Sequence, residues 1–94
     1  MNEAKRHLQG KVAVVTGGAG ILGAAMCRAL AACGAKVVII GRDLTKAEAL
    51  ASEIEATGGI AQGMSCNVLD RAALESAAAH IASTFGPCDI LING

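Results

Sequence analysis

Short apolar runs alternate with helix-patterned segments along almost the whole of this chain. Val12-Ala13-Val14-Val15 and Val37-Val38-Ile39-Ile40 are continuous and rich in β-branched residues, which suits strands buried on both faces. Ile60 to Cys66 reads as a weaker third strand, and Asp89-Ile90-Leu91-Ile92 begins a fourth. The first intervening helix has Leu22, Met26 and Leu30 as its apolar face, with Arg28 off that face and Gly34 as a left-handed cap. In the second, Asp43 is the cap, Ala47, Leu50, Ala51 and Ile54 form the core stripe, and Glu48, Glu53 and Glu55 fall on the wet side. Gly58-Gly59 stops it. Asp70 caps the third, whose expected stripe is Leu74, Ala78, Ile81 and Phe85, and Gly86-Pro87 ends it. Strands alternating with helices imply an α/β fold, a parallel sheet with helices on both faces. Twenty alanines let those helices approach the sheet closely.

Composition removes several classes of function. Of the 94 residues 53% are apolar and 17% charged, so low hydrophobicity does not leave the chain disordered. Eight basic residues balance eight acidic ones, which argues against a nucleic-acid partner. The apolar runs fall far short of the ~20 residues that cross a bilayer, so no membrane partner is expected. The head, Met1 to Gln9, lacks the apolar core of a signal peptide, and a cytoplasmic location is expected. Cys27, Cys33, Cys66 and Cys88 have no zinc spacing and read as small buried hydrophobes in a reducing cytosol, with redox sensing or adventitious disulfides as the alternative. His7 and His80 have no Cys or His partner nearby, so no metal site is expected.

The residues with a chemical message follow the first strand. Gly18-Ala19-Gly20-Ile21-Leu22-Gly23 is G-x-G-x-x-G, a weak pattern alone but informative between a strand and a helix. One glycine makes the tight turn, one lets the backbone reach a pyrophosphate, and one allows close helix–strand packing. The free amides and dipole of the first helical turn then hold the anion. A tight turn with no ligand would need fewer glycines than Gly17, Gly18, Gly20 and Gly23 supply. A P-loop is excluded, because no Gly-Lys-Ser/Thr follows.

Dinucleotide-binding units often carry an acid at the end of the second strand for the ribose hydroxyl. Here Gly41-Arg42-Asp43 stands in that place. A missing carboxylate beside a guanidinium suits the 2′-phosphate of NADP. Two alternatives stay open: Arg42 is simply solvated while Asp43 caps the helix, or Asp43 serves the ribose of NAD.

Gly10-Lys11-Val12-Ala13-Val14-Val15-Thr16-Gly17-Gly18 resembles the opening of the short-chain dehydrogenase/reductase family. Cys66-Asn67-Val68 lies where that family has Asp-Val against adenine, and Asp89-Ile90-Leu91-Ile92-Asn93-Gly94 resembles its Asp-x-Leu-Val-Asn-Asn-Ala-Gly strand. The resemblance covers residues 8–94. Ile21 occupies the middle glycine of the commonest family loop, so the loop reads Thr16-Gly17-x-x-Gly20-x-x-Gly23, as in the extended, epimerase-like branch. That loop, combined with Ile92-Asn93-Gly94, is similar to the subgroup of D-mannonate (fructuronate) oxidoreductases.

The resemblance implies a Rossmann-type sheet of strand order 3-2-1-4, truncated after the fourth strand. Residues 1–10 would be a polar extension and 11–94 a partial NAD(P)-binding domain. Gly17, Gly18, Gly20 and Gly23 would shape the phosphate loop, with Ile21 and Leu22 offering amides or covering the cofactor. Arg42 would meet the ribose or its phosphate, and Asn67 and Val68 the adenine. Asn93 would wall the cleft. Asn67 in place of Asp keeps an acceptor oxygen for the adenine amino group.

The family's catalytic Ser, Tyr and Lys come well downstream, and this chain has no Tyr at all. The expectation is therefore the cofactor-binding part of a longer, homo-oligomeric oxidoreductase whose partner is a nicotinamide dinucleotide. A stand-alone nucleotide-binding module and a functionless fragment are the rival readings. In order 3-2-1-4 the fourth strand is an apolar edge, so the isolated chain is expected to self-associate or fold only in part.

Overall fold

The computed structural model describes residues 7–17, 20–67 and 69–93. Four strands and three helices alternate: β1 (Val12–Thr16), α1 (Ile21–Ala32), β2 (Lys36–Gly41), α2 (Leu44–Ala56), β3 (Ile60–Ser65), α3 (Arg71–Thr84) and β4 (Ile90–Asn93). The sheet runs β3-β2-β1-β4, as expected, and every pairing is parallel. Val14 at its centre lies opposite Val38 on one side and Leu91 on the other.

Strand alternation divides the apolar runs between two layers. Ala13, Val15, Val37 and Ile39 face α1 and α2, and pack with Cys27, Leu50 and Ile54. Val12, Val14, Val38 and Ile40 face α3, where Ala77 and Ile81 cover them. This is why the runs are continuous in the sequence: neither face is wet. Leu91 shares the α3 side, and no described helix covers it, so it stays 62% exposed.

Of the three helical stripes, only that of α2 matches the expectation residue for residue, with Ala47, Leu50, Ala51 and Ile54 all buried. In α1 the inward residues are Gly23 and Cys27, with Leu30 half-buried, while Leu22 is 76% exposed. Close approach to the sheet admits only small side chains there. In α3 Ala77 and Ile81 are buried, Ala73 and Phe85 pack beside them, and Ala78 is exposed. Among the cysteines Cys27 and Cys66 are buried, Cys33 is half-buried and Cys88 exposed.

The expected punctuation is present. Asp43 accepts the Lys46 amide at 3.3 Å and Asp70 the Ala73 amide at 3.2 Å, each closing the first turn of its helix. Gly34 ends α1 with φ +95°, and a Cβ there would stand 2.9 Å from the Gln9 backbone. Gly63 has a role that no sequence pattern announces. A Cβ on it would lie 2.6 Å from the Ala47 carbonyl carbon, so its bareness sets how closely α2 approaches β3. Among the described residues, no helix is long and apolar enough to cross a membrane.

Candidate functional site

Because all the strands are parallel, their C-terminal ends line one edge of the sheet, the edge at which open α/β sheets hold ligands. From β3 to β4 that edge carries Ser65-Cys66-Asn67, Gly41-Arg42, Thr16-Gly17 and Asn93. Two expected site residues, Gly18 and Val68, lie outside the described residues.

The glycine turn leads the chain from β1 into α1. Gly17 has φ +72°, its amide donates to the Ile40 carbonyl at 2.8 Å, and its carbonyl accepts the Gly20 amide at 3.2 Å. Gly20 is the extended N-cap of α1 and carries no side chain to cap it. The first helical hydrogen bond runs from the Ala24 amide to the Gly20 carbonyl at 2.7 Å, so the amides of Ile21, Leu22 and Gly23 precede it. No acidic residue stands in that first turn. The contrast with α2 and α3 is chemical: an aspartate accepts one first-turn amide in each of them, whereas the N-cap of α1 has no side chain to accept any. An anion fits there. Gly23 is buried against the sheet, and Ile21 stands 95% exposed at the rim.

Beyond β2 the structure brings Arg42 and Asn67 together. With Ser65, Cys66 and Leu69 they line a pocket of about 340 Å³. Arg42 is exposed and makes no ion pair among the described residues. Asp43 beside it is engaged in capping α2. The Asn67 oxygen expected to face an adenine amino group accepts the Leu69 amide at 3.0 Å and keeps a second lone pair. Ser65 and Leu69 are not among the residues singled out from the sequence, although a large aliphatic directly before the capping Asp70 is a signal, and Leu69 is 85% exposed. On the β4 side, the Thr16 hydroxyl donates to Asn93 Oδ1 at 3.0 Å, which ties the C-terminal ends of β1 and β4 together.

A larger hollow of about 590 Å³ lies at the opposite edge, among Gln9, Gly34, Lys36, Gly58 and Ile60. It opens onto the C-terminal ends of α1 and α2, whose dipoles repel a phosphate, so it is the poorer place for an anionic ligand. At its rim Arg28 Nη2 donates to Glu53 Oε1 at 3.2 Å, tying α1 to α2. This hydrogen bond holds the Glu53 carboxyl below its ordinary range and the Arg28 guanidinium above its own. Burial pushes the Cys27 thiol up to about 11, with the Arg28 charge partly opposing.

Known proteins share this arrangement. The profile of the family described as short chain dehydrogenase matches residues 11–94. The Bacillus subtilis (strain 168) protein "Uncharacterized oxidoreductase UxuB" is 49% identical over 88 residues, covering 94% of this chain and 32% of that protein. D-threitol dehydrogenase of Mycolicibacterium smegmatis is 42% identical over 87 residues, covering 93% of this chain and 34% of the enzyme. The chain thus spans about a third of the length of these curated relatives. A candidate D-mannonate oxidoreductase from Haemophilus influenza, solved with bound NAD, superposes with a TM-score of 0.89 at 30% identity, covering 95% of this chain and 32% of that one. A metagenomic short-chain oxidoreductase in complex with NADP superposes at 0.85 with 40% identity, covering 89% of this chain and 38% of that one. On the strand order, the glycine turn and the profile match together, this chain belongs to the short chain dehydrogenase family.

Proposed function

We propose that this chain is the nicotinamide-dinucleotide-binding part of an oxidoreductase that moves a hydride between the cofactor and a carbonyl or alcohol, with a sugar acid as the substrate class. The observation that carries this reading is the N-terminus of α1, a glycine-lined helix start with neither a side-chain cap nor an acidic first turn. Gly17, Gly18, Gly20 and Gly23 would shape the loop around the pyrophosphate, and the amides of Ile21, Leu22 and Gly23 would donate to it. Arg42 would meet the adenosine ribose, Asn67 and Val68 the base, and Asn93 the wall of the cleft. The bound nicotinamide supplies or accepts the hydride. These residues bind and orient it.

Gly41 and Arg42 favour NADP, because no carboxylate directly follows β2 and Asp43 is occupied as a cap. NAD is the second reading, supported by the Haemophilus neighbour that holds it. The sugar-acid reading draws on that neighbour. Residues 11–94 act in this reading as a partial cofactor domain behind a polar extension. The parent would be cytoplasmic and homo-oligomeric, with its Tyr-based acid/base chemistry supplied from outside these 94 residues, which contain no Tyr.

The test is Arg42→Ala in the full-length protein, with NADPH and NADH binding measured side by side. A lost charge-assisted contact costs about 1.5–3 kcal/mol, so NADPH binding should weaken roughly tenfold or more while NADH changes little. Equal effects would remove the NADP reading, and binding of neither cofactor by the unaltered protein would remove the function itself.

A further inference from the structure

The pocket at the ends of β2 and β3 holds two donors that the described residues leave unused. Arg42 follows β2 directly, Ser65 closes β3, and both line the same hollow of about 340 Å³. The strands are in register there, with Gly41 opposite Ser65, and Gly41 has no side chain to stand between Ser65 and Arg42. Strand alternation puts Ser65 on the same face as Gly63, where a Cβ would meet the Ala47 carbonyl carbon of α2 at 2.6 Å. Two residues nearer the C-terminal edge, Ser65 therefore lies toward the start of α2, into which Arg42 leads. Both residues are exposed. Among the described residues the Ser65 hydroxyl makes no hydrogen bond and Arg42 makes no ion pair.

The chemistry of this pair separates two kinds of ribose. A free ribose diol at the end of β2 needs an acceptor, which an acid there usually supplies. Here the nearest acid in the sequence, Asp43, accepts the Lys46 amide as the cap of α2, and a guanidinium only donates. A phosphate monoester has the opposite need, because it presents three acceptor oxygens and close to two negative charges. The fork of one guanidinium takes two of those oxygens and leaves the third for another donor. A hydroxyl beside the guanidinium supplies that donor.

We propose that Ser65 is a specificity-determining residue, its hydroxyl donating to the ribose 2′-phosphate that Arg42 holds, so that β2 and β3 together select NADP over NAD. The inference rests on the cofactor reading above and deepens it. The experiment titrates the full-length protein with NADPH and with NADH, following nicotinamide fluorescence, and repeats both titrations with Ser65→Ala and Ser65→Thr. Ser65→Ala should weaken NADPH about tenfold and leave NADH within about twofold, because only the phosphate loses a donor. Ser65→Thr keeps the hydroxyl on a residue that suits a strand, and should hold NADPH within about threefold of the unaltered protein. A purely structural role for Ser65 would move both cofactors together. Equal losses for the two cofactors with Ser65→Ala, or no loss of NADPH, overturn the proposal while the cofactor reading stands. NADH bound to the exclusion of NADPH by the unaltered protein removes the phosphate and the role of Ser65 with it. Binding of neither cofactor overturns the cofactor reading itself, an outcome distinct from the others.

Discussion

The carboxylate of Asp89 accepts the Val12 amide at 2.9 Å, while the Asp89 amide donates to the Val12 carbonyl at 2.9 Å. Residues 77 apart in sequence are joined at two points, where β1 enters the sheet and β4 is about to begin. This clamp sets the register that follows, Ala13 opposite Ile90 through Thr16 opposite Asn93. At the far end of the same two strands, Thr16 reaches Asn93. A contact at the edge remote from the candidate site thus sets where Asn93 stands beside Thr16.

Removing the clamp should be costly. Val12 is buried, and Asp89→Ala leaves its amide without an acceptor, a loss of about 1–3 kcal/mol. Asp89→Asn keeps an oxygen in place and should lose clearly less. Equal losses for the two variants in chemical denaturation would show that the hydrogen bond does not hold β4 in register.

Gly63→Ala should destabilise by about 1–3 kcal/mol through overpacking. The added methyl meets the Ala47 carbonyl carbon at 2.6 Å and the Glu48 nitrogen at 2.7 Å, both backbone atoms that cannot swing aside. The helix itself must move outward. An unchanged denaturation midpoint would contradict the close seating of α2 on β3.

The thiols should divide by burial. Cys27 is fully buried, and its thiol is pushed up to about 11, so near neutral pH it holds its proton and resists alkylation. Exposed Cys88 should react first with iodoacetamide, and Cys27 only when the protein unfolds, as read by mass spectrometry of the labelled peptides. Labelling of Cys27 at the rate of Cys88 in the folded protein would contradict the packing of α1.

The parts of this fold legible in the sequence are those where one face differs sharply from the other. Val37 to Ile40 announces a strand because both of its faces are apolar. Ala47, Leu50, Ala51 and Ile54 announce the inner face of α2 because glutamates and a lysine mark the outer one. Helix α3 has alanines on every side, so Leu74 and Ala78 are as good a stripe on paper as Ala73 and Ala77, which take the inner positions. In α1 hydrophobicity puts Leu22 inside, but the sheet lies too near for it and takes Gly23 and Cys27 instead. The site was legible where the backbone does the work, at Gly17 and Gly20. The Asn67–Leu69 and Asp89–Val12 hydrogen bonds were not, because each depends on a turn or a register that no local pattern states.

Hydrogen exchange followed by mass spectrometry, on the full-length protein with and without saturating dinucleotide, tests the central claim most directly. Dinucleotide binding at this site predicts slowed exchange in peptides spanning residues 16–24, 40–44 and 65–70, whose described residues lie at the C-terminal edge of the sheet, and no change across residues 53–60 at the opposite edge. Slowed exchange confined to residues 53–60, or none in any of these peptides at saturation, would contradict it.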